Sequence, residues 1–159
     1  MVTAPSEDLL ISDWSTAEGE APQPPRLAML DDETLRDGLQ SPSVRDPSVD
    51  EKIEILHLID RLGIETADIG LPGAGPRQVE HVEKLCCEIR DAGLKVTPNC
   101  AARTLVVDIE PIVEITQRTG VPIEVCSVIG SSPIRQYAEE WDLESMLQNT
   151  RESVGFAVG

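Results

Sequence analysis

Aromatic rings, positive charge, histidine and long apolar runs are all scarce in this sequence. Of 159 residues only two are Trp, one is Tyr and one is Phe, too few for the stacking platform that single-stranded nucleic acids need. Thirteen Lys and Arg stand against 29 Asp and Glu, for a formal net charge of -16. A nucleic-acid backbone or an anionic membrane surface repels such a chain, so neither is expected as a partner. The balance suits small molecules or metal ions, and an anionic substrate would need a local positive centre. No apolar run reaches the roughly 18 residues of a membrane span. The start, MVTAPSEDLLISDW, lacks the basic residues and apolar core of a secretory leader. The expected location is the cytoplasm. The four cysteines, Cys86, Cys87, Cys100 and Cys126, form no C-x-x-C pair and are expected to be buried, reduced thiols rather than a zinc site.

What is present is a regular rhythm. Residues 1–26 stand apart from it. STAEGEAPQPPR is rich in Pro, Gly and Glu without an apolar period, and reads as an extended or disordered lead-in. DLLISDW before it reads as a short strand or lid. From Leu27 strands and helices alternate. RLAMLDD is a short apolar run. SVDEKIEILHLIDRLG is a helix, with Ser48 and Glu51 as a capping box, an apolar face of Ile53, Leu56, Ile59 and Leu62, and Gly63 as its stop. IETADIGLP is a strand running into a Gly/Pro loop. PRQVEHVEKLCCEIRDAG is a helix with Val79, Val82, Cys86 and Ile89 on one face. LKVTPNC is a third strand. TLVVDIEPIVEITQRTG is a third helix, with Pro111 in its first turn if it starts near Asp108. VPIEVCSVIG is the most apolar strand. EEWDLESMLQNTRESVGFAV is a fourth helix, with Trp141, Met146 and Leu147 among its apolar positions.

These four β-then-α units begin near residues 27, 64, 94 and 122. Strands alternating with helices of this length predict parallel strands joined by right-handed crossovers. An open doubly wound sheet and a (β/α)8 barrel both use this unit. GLPGAG follows a strand, but its spacing is not that of a dinucleotide-binding loop. A full barrel takes about 250 residues, and roughly half its repeats are here.

In parallel α/β folds the chemistry gathers at the C-terminal ends of the strands. Thr34, Arg36, Asp37, Gly38 and Gln40 follow the first strand. Asp68, Gly70 and Pro72 follow the second, Asn99 and Arg103 the third, and Ser131, Ser132 and Arg135 the fourth. Carboxylates, arginines, hydroxyls and amides, with no serine–histidine pair, suit a hard divalent cation holding an oxygen-rich substrate. Polar residues also gather at loop ends for no chemical reason, and spacing alone does not decide between the two.

DDETLRDGLQ resembles the D-x-T-L-R-D-G-x-Q signature of the metal-dependent, pyruvate carboxyltransferase-like barrel family that includes 2-isopropylmalate, homocitrate and citramalate synthases, with hydroxymethylglutaryl-CoA lyase as a more distant relative. ADIGLPGAG, AARTLVVDI and IGSSPI are similar to that family's second, third and fourth strand exits. They stand in the same order over residues 27–159. The resemblance implies the fold, a partial (β/α)8 TIM barrel of about four βα units, the N-terminal half of the catalytic domain. It implies an acyltransferase that condenses acetyl-CoA with a 2-keto acid in the Claisen sense, with a divalent metal (Mn, Mg or Zn) and a homodimer as the complete assembly. By the same resemblance Asp37 is a metal ligand and Arg36 the catalytic arginine at the substrate's keto oxygen. Gln40, Asp68, Arg103 and Ser131 are then substrate-binding positions. Gly38 is expected to let the backbone turn sharply after the ligand. Asp68 stands where the synthases usually carry glutamate.

The resemblance also implies two further ligands, histidines in an H-x-H pair on a late strand. His57 and His81 instead fall inside predicted helices and are assigned no ligand role. The 159 residues alone are therefore expected to be inactive. Two alternatives to the synthase reading stand beside it: a carbon–carbon lyase of the hydroxymethylglutaryl-CoA type, and a non-catalytic half-barrel that assembles with a partner chain through its open strand edges.

Overall fold

The computed structural model describes residues 27–159, and the readings made for residues 1–26 lie outside it. Four strands, β1 (Asp31–Asp32), β2 (Thr66–Asp68), β3 (Thr97–Arg103) and β4 (Glu124–Val128), form one sheet in the order β1-β2-β3-β4. Every neighbouring pair is parallel. The helices between and after them are α1 (Val49–Leu62), α2 (Pro76–Ala92), α3 (Val106–Thr119), α4 (Pro133–Glu139) and α5 (Leu143–Val158). Consecutive parallel strands joined by helices give a partial (β/α)8 barrel rather than a doubly wound sheet, whose strand order reverses at a switch point.

Local chemistry explains the helices. Ser48 accepts from the Glu51 amide while the Glu51 carboxylate accepts from the Ser48 amide, so both halves of the capping box form. Gly63, Gly93 and Gly120 each end a helix in the left-handed region, where a side chain would be strained. Side chains alternate across the strands. Ala67, Ile69, Cys100 and Ala102 pack against Leu56, Ile59, Val82, Leu85, Cys86, Ile89, Ile109, Ile112 and Ile115 from the helices, and this is the core. The opposite face carries Asp31, Thr66, Asp68 and Asn99, which hydrogen-bond across the strands or to Arg36.

Several expectations shift. β1 is only two residues long, and Leu27, Met29 and Leu30 are exposed. β3 starts at Thr97, later than the apolar run that signalled it. Pro98 falls just before the first β3–β4 pair, Asn99 with Glu124, so its missing N–H leaves no partner unsatisfied on that side. Leu62 is exposed because each i+3 step drifts about 60° around a helix, and three such steps carry it half a turn from Ile53. α3 begins at Val106, which moves Pro111 past the first turn and removes one i→i−4 hydrogen bond. The last predicted helix starts later than its sequence suggested, at Leu143 with Asp142 as its cap, and leaves Trp141 outside; a short helix not expected from sequence, α4, precedes it, with Ser132 as cap and Pro133 at its first position. Met146 is buried, whereas Leu147 is exposed. β4, although the most apolar strand, is largely exposed because it is the sheet's last strand among the described residues. Cys86 and Cys100 are buried free thiols as expected, but Cys87 is half-buried and Cys126, on β4, is exposed.

Candidate functional site

The site is built around Arg36, in the turn that follows β1. Asp32 shapes that turn by accepting from the Thr34 amide and hydroxyl. The Glu33 carbonyl then takes the amides of Arg36 and Gly38. Gly38 is not in the left-handed region, and an added Cβ would meet only the Glu33 carbonyl at 3.5 Å, an ordinary contact. The expected need for glycine at that turn is therefore not met. The glycine that geometry requires is Gly70, with φ +152 and an added Cβ 2.7 Å from the Val82 side chain.

Each nitrogen of the Arg36 guanidinium holds a different carboxylate. Nε donates to Asp68 at 2.9 Å, one terminal nitrogen to Asp37 at 2.9 Å, and the other pairs with Glu33 at 2.7 Å. Asp68 is 1% exposed and also accepts from the Gly70 amide at 3.1 Å. Burial pushes the Asp68 carboxyl above its ordinary value, against the pull of the Gly70 amide and Arg36. Burial also raises Glu33, reinforced by the nearby Asp68, Asp31 and Asp37 and opposed by Arg36. For Arg36 burial acts downward, but Asp68, Glu33 and Asp37 outweigh it and hold the guanidinium charged. Asp31 accepts from the Thr66 hydroxyl at 2.6 Å and the Asn99 amide at 2.7 Å, tying three strands together. Cys126 pairs with Ala101, two residues on from Asn99, which puts it on the same face, and burial raises its thiol.

Of the six residues singled out from sequence, Arg36, Asp37 and Asp68 are brought together. Gln40 sits one turn on in a 3-10 turn and lines a cavity with Arg36. Arg103 turns elsewhere, making a two-pronged pair with Asp108 at 2.6 and 2.9 Å at the start of α3. Ser131 is exposed beyond β4, where its carbonyl accepts from Gln136. His57 and His81 lie on α1 and α2, and His57 contacts Glu88 at 2.7 Å. The structural work of Asp31, Asp32 and Glu33 went unassigned in the sequence, although the D-x-T spacing of Asp32 and Thr34 is a turn signal.

Among the described residues no group of three or more His, Cys, Asp and Glu side chains is placed to hold a metal ion. Asp37 offers one exposed carboxylate, short of the ligand set a hard cation takes. The residues described do not by themselves make a metal centre. No helix among them is long and apolar enough to cross a membrane.

The sequence that builds this face is similar to known proteins over nearly all of the described residues. Residues 27–158 match the family described as HMGL-like, and the chain belongs to that family. Among its curated relatives is the 2-isopropylmalate synthase of Sediminispirochaeta smaragdinae, 29% identical over 133 residues, which are 83% of this chain and 25% of that protein. The homocitrate synthase AksA of Methanopyrus kandleri is 35% identical over 86 residues, 54% of this chain and 20% of its own length. The 2-isopropylmalate synthase of Sulfolobus acidocaldarius is 30% identical over 127 residues, 79% of this chain and 31% of its own length. The chain thus spans about a fifth to a third of the length of these relatives.

Proposed function

We propose that this chain supplies the first four βα units of a barrel that condenses acetyl-CoA with a 2-keto acid. The observation that carries the reading is the Arg36 guanidinium, held by Glu33, Asp37 and Asp68 at the strand ends. In a Claisen addition, negative charge builds on the keto oxygen as the new carbon–carbon bond forms. A fixed guanidinium beside that oxygen stabilises the charge, and its loss costs on the order of 100-fold or more in rate. Asp68 and Glu33 fix the aim of Arg36 before substrate arrives, so little reorganisation is left for the reaction itself. The synthase reading is preferred to the lyase because the relatives cited are named synthases.

Asp37 is proposed as one ligand of a divalent metal, whose role when bound would be to polarise the keto carbonyl. Its companion ligands would come from beyond the stretch matched here. Gln40 and Asp68 border the proposed substrate space, whereas Arg103 and Ser131 contribute only if their present partners release them. A cytoplasmic, homodimeric enzyme completes the proposal.

The test is free coenzyme A release by the complete reading frame carrying this sequence, with 2-ketoisovalerate, pyruvate and 2-ketoglutarate. Turnover is expected with at least one of them. Arg36→Ala is expected to lower kcat by about 100-fold or more while keeping metal binding, and Asp37→Ala to weaken both. Full activity in either variant would refute the assigned roles.

A further inference from the structure

His81, on α2, is a buried titratable group that the proposed reaction does not use. It is 8% exposed, and its Nδ1 has no hydrogen-bond partner among the described residues. A neutral imidazole leaves that nitrogen as an empty acceptor, whereas protonation turns it into a buried donor that needs an acceptor. The surroundings are already crowded with positive charge. Lys52, in the first turns of α1, is buried, and its ammonium lies 3.6 Å from Asp46. Arg77, one turn before His81 on the same face of α2, holds Asp46 at 2.7 Å. Glu80, beside His81 on α2, is exposed and engaged with Lys84 at 2.7 Å. Two cations therefore share one carboxylate next to the ring. Burial, and then Lys52 and Arg77, push His81 below its ordinary value against the pull of Asp46 and Glu80. Burial acts to raise Asp46, but Lys52 and Arg77 outweigh it and hold the carboxyl below its ordinary value. Asp46 thus stays ionised across the range in which a histidine titrates.

Asp46 belongs to the stretch 41–47, which runs from the turn ending at Gln40 to the Ser48 cap of α1. Arg45 and Asp46 tie this stretch to α1 through Glu51 and Lys52. The Arg77–Asp46 pair is the one ion pair that joins it to α2 among the described residues. The two cations on Asp46 are not equally free to leave. The Arg77 side chain is 61% exposed and can hydrate in place, whereas Lys52 is enclosed and an enclosed charge without a partner is costly.

We propose that His81 is the trigger of an acid-operated latch on the 41–47 loop. Neutral, it lets Lys52 and Arg77 share Asp46, and the loop is pinned to both helices. Protonated, it is a third cation beside one carboxylate, and the exposed Arg77–Asp46 pair gives way, which frees the loop from α2. Gln40 stands at the start of the loop, so the latch governs how firmly the wall beside Arg36 is held. The latch does not rest on the condensation reading, because Asp46, Lys52, Arg77 and His81 have no part in it. A histidine held below its ordinary value of 6.5 by folding contributes stability above that pH. The contribution is lost as pH falls through the folded value.

The test is an NMR titration of the ¹⁵N-labelled 159-residue chain from about pH 7.5 to about pH 4.5, following the imidazole nitrogens, the Arg77 Nε–H and the amides of Val44, Arg45 and Asp46. His81 is expected to titrate below 6.5, and the Arg77 and loop signals to move with the same midpoint. Exchange of the loop amides, corrected for the intrinsic effect of pH, should be about tenfold faster once His81 is protonated, the scale of one lost charged hydrogen bond. His81→Gln should abolish the loop titration. If that variant does not fold, Arg77→Gln at an exposed position makes the comparison: the His81 midpoint should rise, and the loop should be open at both ends of the range. His57, which pairs with Glu88 at 2.7 Å, titrates in the same window, and His57→Gln should leave the loop titration unchanged. The proposal is overturned by a His81 midpoint at or above 6.5, by loop signals that do not follow that midpoint, by a loop titration that persists in folded His81→Gln or Arg77→Gln, or by its loss in His57→Gln.

Discussion

Replacing Asp68 by alanine removes the buried end of the Arg36 cluster and leaves the Gly70 amide without an acceptor. Replacing Arg36 by methionine does the converse, stranding a carboxylate that is 1% exposed. Two unit charges about 4 Å apart attract by roughly 4 kcal/mol at the dielectric that reproduces protein behaviour best. The 2.9 Å contact between Arg36 Nε and Asp68 puts the charges in that range. Two features reduce the figure: the Arg36 side chain is 21% exposed, and it keeps Glu33 and Asp37 when Asp68 is gone. A coupling of about 2 kcal/mol is what remains. Each single variant should lose about 3 kcal/mol, since breaking one side of a buried pair leaves the other uncompensated. The double variant should lose less than the sum by the coupling. Urea unfolding of the four proteins at pH 7, with m-values compared to confirm a common transition, gives the cycle. A coupling below about 0.5 kcal/mol is the value of an exposed pair and would refute the claim that Asp68 fixes the aim of Arg36.

Gly70→Ala places a methyl 2.7 Å from Val82 Cγ2 on a backbone with φ +152, so about 3 kcal/mol of overpacking and strain is expected. That should lower Tm by roughly 10 °C, and a Tm within about 2 °C of the parent would show that the β2 exit relaxes freely. Glu51, held by Arg45 and then by the Ser48 amide, has its carboxyl lowered from 4.5 to about 2. A carboxyl depressed on folding contributes stability above its unfolded value and loses it as pH falls toward the folded one. The Tm gap between the parent and Glu51→Gln should therefore be full at pH 5 and close as the pH falls from 4.5 to about 2; a gap that persists at the acid end contradicts the capping assignment.

How much of this was legible beforehand depends on where the information sits. The helices announced themselves because their signals are local: Ser48 and Glu51 at one end of α1, Gly63 at the other, and an apolar stripe between. The strands did not, because a short parallel strand is defined by its neighbours. β1 is two residues long, and no local pattern separates Asp31 and Asp32 from the exposed Leu27, Met29 and Leu30. β4 was apolar in sequence yet exposed, since burial needs something on both sides of the sheet. At the site, Arg36, Asp37 and Asp68 were visible from loop position and resemblance, and they do meet. Arg103 was equally visible, but Asp108, five residues on, is a nearer partner. Lys52 gave no signal at all, because nothing local distinguishes a lysine flanked by Glu51 and Ile53 from one on a solvated face.

The four acids Asp31, Glu33, Asp37 and Asp68 crowd one arginine, and they are not equivalent. Asp31 is spent on Thr66 and Asn99. Asp68 is enclosed and spent on Arg36 and Gly70. Glu33 holds Arg36 from the solvent side. Asp37 is the most exposed of the three partners of Arg36, 65% of its side chain against 45% for Glu33 and 1% for Asp68, and one of its oxygens takes no hydrogen bond among the described residues. Of the four it is the one that can turn toward a bound cation without dismantling the frame around the guanidinium. A residue kept for chemistry and not for support should be cheap to replace in the resting fold. Asp37→Asn is accordingly expected to change unfolding free energy by no more than about 0.5 kcal/mol, the range of ordinary surface substitutions, measured beside the Asp68 variants in the same urea series. A loss above about 1.5 kcal/mol would mean that the Asp37–Arg36 contact is a strut, and the case for Asp37 as the ligand would fall with it.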